Sequence, residues 1–222
     1  MTPFTLDAAS LPITITALVI AGWAGRDAAA VQHHIDELAA IGVKPPRATP
    51  LFYRVGAGLL TTGPAIEVAG TGSTGEAEAV LIGHAGEMLV GVGSDHTDRM
   101  AEAAGVTWSK QMCPKPVSTE LWRYADVAPH WDRLELSSLV LQNGVWRDYQ
   151  RGEMTGLRHP DDLVARYTGT ARVDDGTAMY CGTMPAIAPI SFAEAFAATL
   201  FDPVLGRTLV CRYAILALPL AD

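Results

Sequence analysis

The stretch from Glu76 to Asp95 constrains this chain more than any other, because two strand-like runs, Ala77 to Gly83 and Met88 to Gly93, meet across only His84-Ala85-Gly86-Glu87. Gly86 can supply the positive φ that a tight hairpin requires, and a two-residue loop at Ala85-Gly86 pairs residue 84 with residue 87. Counting outward in that register sets Glu76 directly across from Asp95, with Cβ atoms about 5 Å apart. Glu76 and Glu78 flank Ala77 and so point to one face of a strand. Three carboxylates then face together. Like charges at that distance repel by roughly 3 kcal/mol at an effective dielectric near 20, so partial burial demands a cation or a raised pKa. An all-oxygen donor set favours magnesium, manganese or calcium over zinc. Spacing alone leaves a second reading open. Glu-Ala-Glu beside Gly72 and Gly75 also suits a solvated strand start, and a longer loop would carry Asp95 away from Glu76.

The chain has 222 residues, 49% of them apolar, which is enough for a sizeable core, and one domain over 1–222 is expected. Net charge is -8, and the few basic residues are scattered, so no footprint for nucleic acid or an anionic membrane surface is visible. The apolar run from Leu11 to Gly22 is about half the length that spans a bilayer and has no basic flank. It reads as a buried strand. Cys113, Cys181 and Cys211 are odd in number and widely spaced, which suits neither a disulfide framework nor a zinc site, and a reducing cytoplasm is the expected setting.

Ile13 to Ile20 reads as a strand, and Asp27 as the N-cap of a helix from Ala28 in which Val31, Ile35 and Leu38 recur until Gly42, with Pro45 and Pro46 beyond. Short β-rich runs follow at Pro50 to Val55, Glu76 to Gly83, Met88 to Gly93, Glu135 to Leu141 and Thr177 to Cys181. A second amphipathic helix fits Phe192 to Leu200, and a strand-like run from Thr208 to Leu218 closes the chain. An α+β, mainly β architecture is expected. His130-Trp131-Asp132 reads as packing, and His96 and His159 as polar loop residues.

At Gly93-Ser94-Asp95-His96-Thr97-Asp98-Arg99 the chain resembles the fumarylacetoacetate hydrolase superfamily, in which a strand ending in Asn-Asp or a similar pair leads into an x-Ser/Thr-x-Arg turn. Gly25-Arg26-Asp27 with His34-Ile35-Asp36-Glu37 resembles the family's Gly-Arg-Asn-Tyr and His-x-x-Glu stretch. Pro50-Leu51-Phe52-Tyr53-Arg54 resembles its Pro-Leu-Phe-x-Lys strand, and Glu76-Ala77-Glu78 its Glu-x-Glu. Trp108-Ser109-Lys110, Gln142-Asn143-Gly144 and Gly176 to Thr183 resemble its lysine segment, its Val-Asn-Gly turn and its Gly-Asp-x-Ile-x-Thr-Gly-Thr. The elements keep the family order from about Gly22 to Thr183, and six weak motifs in sequence are harder to obtain by chance than one.

The resemblance implies a mixed β-roll with the fumarylacetoacetase C-terminal-like fold, a divalent cation (Mg2+, or Mn2+ or Ca2+) on Glu76, Glu78 and Asp95, and a homodimer. It implies a hydrolase cleaving a carbon-carbon bond in a small oxo acid, an acylpyruvate or β-dicarbonyl acid, with decarboxylation, isomerisation or hydration as alternatives on the same scaffold. A binding protein that keeps the fold without turnover is a third expectation. In this frame His34 is the general base oriented by Glu37 at i+3, with His33 as the competing histidine, and Lys110 binds a substrate carboxylate or oxyanion. Arg54, Arg99, Glu102 and Thr183 are the substrate-side residues. Several positions depart from the pattern: Arg54 stands for a lysine, Glu102 for a glutamine, and Met184-Pro185-Ala186-Ile187 lacks the usual glycines. A divergent branch is expected.

Overall fold

The structure, a computed structural model, describes residues 1–40, 44–187 and 189–221; within helix Ala28–Ala40 the side chains of His34 and Leu38 lie outside the described residues. Two mixed sheets carry the fold. The larger has eight strands in the order Ala9–Ile13, Thr2–Leu6, Glu120–Arg123, Glu87–Ser94, Ala77–His84, Thr177–Thr183, Ala17–Gly22 and Leu51–Val55. The smaller has five, in the order Val145–Glu153, Glu135–Gln142, Ala195–Asp202, Arg207–Leu218 and Ala65–Ala69. Parallel pairs (177–183 with 17–22, 2–6 with 120–123, and 207–218 with 65–69) are mixed among antiparallel ones. This is the mostly strand, mixed β-roll expected from the sequence.

The central strands of the large sheet are buried on both faces, which is why their sequences read as near-continuous apolar runs. On one face Val19, Ala79, Leu81, Val90 and Val92 pack against Phe196, Ala198, Leu200 and Tyr213 of the small sheet. On the other, Leu18, Ile20, Tyr53, Val80, Ile82, Leu89 and Tyr180 form a second core inside the curl of the large sheet. Each fully buried large side chain contributes about 1.5–3 kcal/mol. Glu78 shares strand parity with Val80 and Ile82, so its carboxylate enters the end of the second core.

The hairpin register is the expected one, with His84 paired to Glu87 and Ala77 to Ser94. Ala85 at φ 51 and Gly86 at φ 80 give the two left-handed residues of a type I′ turn, whose twist matches the strands it joins. Asp27 caps helix Ala28–Ala40 by accepting from the Ala29 amide at 2.8 Å; Gly42, expected to end it, lies outside the described residues. Replacing Asp27 by Ala is expected to cost about 1 kcal/mol in urea unfolding, with Asp27→Ser close to native.

Two expectations are corrected. Phe192 to Leu200 is not a helix: Ala195–Asp202 is a strand between 135–142 and 207–218. Phe196, Ala198 and Leu200 are all fully buried at period two, so cross-strand packing overrides the helix propensity of the alanines. The run Ile13 to Ile20 is two strands, Ala9–Ile13 ending where it was expected to begin and Ala17–Gly22 following. His96 lies in the short loop between Glu87–Ser94 and Thr97–Asp98, as expected, and is fully buried there. Among the described residues no helix is long and apolar enough to cross a membrane.

Candidate metal centre

Glu76, Glu78 and Asp95 each offer a carboxylate oxygen, and these three atoms lie within 4.8 Å of one another. The hairpin register places two of them, since the Asp95 amide donates to the Glu76 carbonyl at 2.9 Å as the next step of the ladder. The strand start is pinned further by the Glu76 amide on Ser94 Oγ and the Ala77 amide on Gln150 Oε1. Glu78 is placed by its other neighbour. The pairing of 177–183 with 77–84 shifts between Tyr180 and Thr183, and Gly182, at φ +94, turns its N–H onto Glu78 Oε2 at 2.7 Å. A β-bulge thus aims a backbone donor at the carboxylate. Thr183 lies across from Glu78; its hydroxyl donates to the Ala77 carbonyl at 2.8 Å and accepts from Gln150 Nε2 at 2.7 Å.

Basic side chains surround the carboxylates. Arg99 places Nη2 2.8 Å from Glu76 Oε1, Nη1 3.3 Å from Glu102 Oε2, and donates from Nε to Thr74 Oγ1 at 2.8 Å. Lys110, on helix Val106–Gln111, contacts Asp95 Oδ2 and lies 3.5 Å from Glu76 Oε2. Lys115 is fully buried, donates to the His96 carbonyl at 2.5 Å and stands 3.2 Å from Asp95 Oδ1. Oδ1 itself is buried without a hydrogen bond. His96 is held between Tyr213 Oη and Ser73 Oγ, both at 2.9 Å.

The electrostatics separate the three acids. Burial alone would raise Glu76, but the charges of Arg99 and Lys110 overturn it and hold the carboxyl down at about 2. Glu78 is raised well above the usual carboxylate range by burial, then by the charges of Asp95 and Glu76, against the opposing charge of Lys110. Burial, with the charges of Lys115 and Arg99, lowers His96 to about 3 and keeps it neutral. Lys110 is raised despite its burial, because Asp95, Glu76 and Glu78 all favour its ammonium form.

A buried all-oxygen cluster in which, among the described residues, Asp95 Oδ1 accepts no hydrogen bond and is faced by the Lys115 ammonium fits a hard divalent cation, and these residues could hold one. Arg99, Glu102, Lys110 and Thr183 are brought to it. Two expected residues are placed elsewhere. Arg54 is exposed and donates to Tyr167 Oη at 3.2 Å, while its neighbour Tyr53 turns inward, its ring 5.9 Å from Lys110 Nζ. Glu37 is exposed on its helix with His33 Nε2 3.3 Å away, and the His34 side chain lies outside the described residues. Lys115, His96, Tyr53 and Gln150 were missed by sequence reasoning. Lys115 stands between Pro114 and Pro116, and nothing local marks it as buried.

A family model described as Protein of unknown function (DUF2848) matches residues 21–213. No curated protein matches the sequence. Among solved structures, a protein of Oleispira antarctica assigned as a fumarylacetoacetate isomerase/hydrolase superposes with TM-score 0.67 at 18% identity, over 97% of this chain and 100% of that one. A yeast fumarylacetoacetate hydrolase family protein gives 0.61 at 15% identity, over 91% and 94%. 2-keto-3-deoxy-D-arabinonate dehydratase, complexed with magnesium and 2,5-dioxopentanoate, gives 0.60 at 18% identity, over 94% and 75%. Likeness at such identity establishes the fold.

Proposed function

Because the chain belongs to the DUF2848 family and has the fold of the fumarylacetoacetate hydrolases, we propose that it is a divalent-metal-dependent enzyme that cleaves a carbon-carbon bond in a small acylpyruvate or β-dicarbonyl acid. The observation that carries the reading is the cluster of Glu76, Glu78 and Asp95 beneath a rim of cationic groups. Magnesium, or manganese or calcium, held by those three carboxylates supplies Lewis-acid stabilisation for the negative charge that develops as the bond breaks.

The chain's own residues supply the rest. Arg99 fixes Glu76 and is fixed in turn by Glu102, so that carboxylate cannot swing away. Lys110 offers an ammonium beside the carboxylates for a substrate carboxylate or oxyanion. The Thr183 hydroxyl is pinned by Gln150 and the Ala77 carbonyl on the strand position across from Glu78. Water activation by His34, with Glu37 orienting it, is the remaining part of the reading and rests on the resemblance alone. The magnesium and dioxo acid bound by the dehydratase neighbour support an oxo acid substrate and favour hydratase-type chemistry among the alternatives, with decarboxylation and isomerisation resting on the resemblance alone. Exposed Met100, Trp108 and Met112 beside the site support a homodimer.

The test is magnesium-dependent release of pyruvate or carbon dioxide from a panel of acylpyruvates and oxaloacetate. Release that chelation abolishes is expected; a panel inert at every concentration of magnesium and manganese would remove the reaction assignment.

A further inference from the structure

Lys110 stands on the oxygens that a cation would take. Its Nζ meets Asp95 Oδ2 and reaches Glu76 Oε2 at 3.5 Å, with the side chain only 8% exposed. The other two cations of the cluster are committed differently. Arg99 divides its guanidinium between Glu76, Glu102 and Thr74, and Lys115 donates to the His96 backbone while standing 3.2 Å from the other Asp95 oxygen, Oδ1. Among the described residues, the polar contacts of the Lys110 ammonium are the two carboxylates themselves, with the Tyr53 ring at 5.9 Å on its far side. We propose that Lys110 is a tethered counter-ion of the carboxylate cluster, displaced whenever a divalent cation binds, so that cation entry frees its ammonium for an anionic substrate. This rests on the cation-binding reading above.

The reasoning is competitive. An oxygen lone pair on Asp95 cannot serve an ammonium and a divalent ion together, and two positive charges on adjoining oxygens in a buried pocket repel strongly. A lysine is suited to the exchange, since its flexible four-carbon stem can withdraw while the backbone stays in place. Helix Val106–Gln111 carries it at the surface of the fold, with Trp108 and Met112 exposed around it. The apparent cation affinity is then the intrinsic affinity reduced by the fraction of molecules with Lys110 withdrawn.

The chain holds three lysines, Lys44, Lys110 and Lys115, which makes lysine footprinting a clean test. Reductive methylation of the intact native protein, mapped by peptide mass spectrometry with and without saturating manganese, should show Lys110 protected alone and methylated about tenfold faster with the ion. Exposed Lys44 should react equally in both, and fully buried Lys115 in neither. Protection of Lys110 that persists while calorimetry shows manganese bound would overturn the displacement. As a second measurement, Lys110→Met should bind manganese about tenfold tighter or better; equal or weaker affinity overturns the proposal and leaves the cation site standing. If neither protein binds manganese, both the cation reading and the displacement fall.

Discussion

Magnesium at a hundred times its dissociation constant is expected to stabilise the native chain by about 2.7 kcal/mol and the Glu78→Gln variant by nothing measurable. Glu78 is the informative position because of how its charge is held. It is buried, its carboxylate takes one backbone donor from Gly182, and burial with the nearby charge of Asp95 raises its pKa well above the usual carboxylate range. The shift is toward the neutral acid, which Gln matches in size and shape while its carbonyl can still accept from the Gly182 N–H. The variant should unfold close to native in the absence of metal, within about 0.5 kcal/mol.

Asp95→Ala would instead strip a counter-charge from Lys110 and Lys115 at once, and a broken buried pair costs about 3–5 kcal/mol before any metal is added. Glu78→Gln separates ligand loss from collapse. The same raised pKa sets a sign for pH. A carboxyl whose folded pKa lies above its unfolded value costs stability as pH climbs from the ordinary carboxylate range to the raised one. A divalent ion reverses this by displacing the proton, so magnesium affinity should rise with pH across that window and level off above it. Thermal shift with magnesium titrated at several pH values measures both effects; stabilisation of Glu78→Gln equal to that of the native chain would show the ion sits elsewhere.

The cluster was legible because it depends on local chemistry. Ala85-Gly86 permits one tight turn, the turn sets the register, and the register places Asp95 opposite Glu76. Asp27 was legible for the same reason, as a cap needs only its own first turn. What the sequence hid depends on partners far along the chain. Lys115 is buried because strand segment 115–116 pairs with 60–61 and Tyr180 donates its hydroxyl to the Lys115 carbonyl at 3.0 Å, neither visible from Pro-Lys-Pro. His96 looks like a turn residue until Ser73 and Tyr213 arrive from 23 and 117 positions away. The segment Ala195–Asp202 was misread because its alternation is short and its alanines suit either state; only two flanking strands decide it. Helix Pro160–Thr168 was readable but not read: Pro160 at its first turn and Gly169 at φ 72 just past its end are ordinary boundary signs.

Gly182→Ala is expected to lower stability by about 3 kcal/mol and to weaken magnesium binding, through two separable causes. Gly182 sits at φ +94 in the bulge beside Glu78, a backbone state that a Cβ makes costly. A Cβ built there would also lie 2.6 Å from the Ala24 Cβ, a contact that must be relieved by moving one backbone or the other. Either relaxation turns the Gly182 N–H away from Glu78 Oε2, so strain is transmitted to the carboxylate cluster. The double variant Ala24→Gly/Gly182→Ala removes the collision and leaves the dihedral cost, and should recover roughly half of the lost stability. Denaturant unfolding of the four proteins of this cycle measures the division, with magnesium calorimetry alongside. A Gly182→Ala protein within about 0.5 kcal/mol of native, binding magnesium as native does, would show that the bulge does not need its glycine. Full recovery in the double variant would assign the whole effect to the collision, and the backbone donor to Glu78 would then tolerate a side chain once Ala24 gives way.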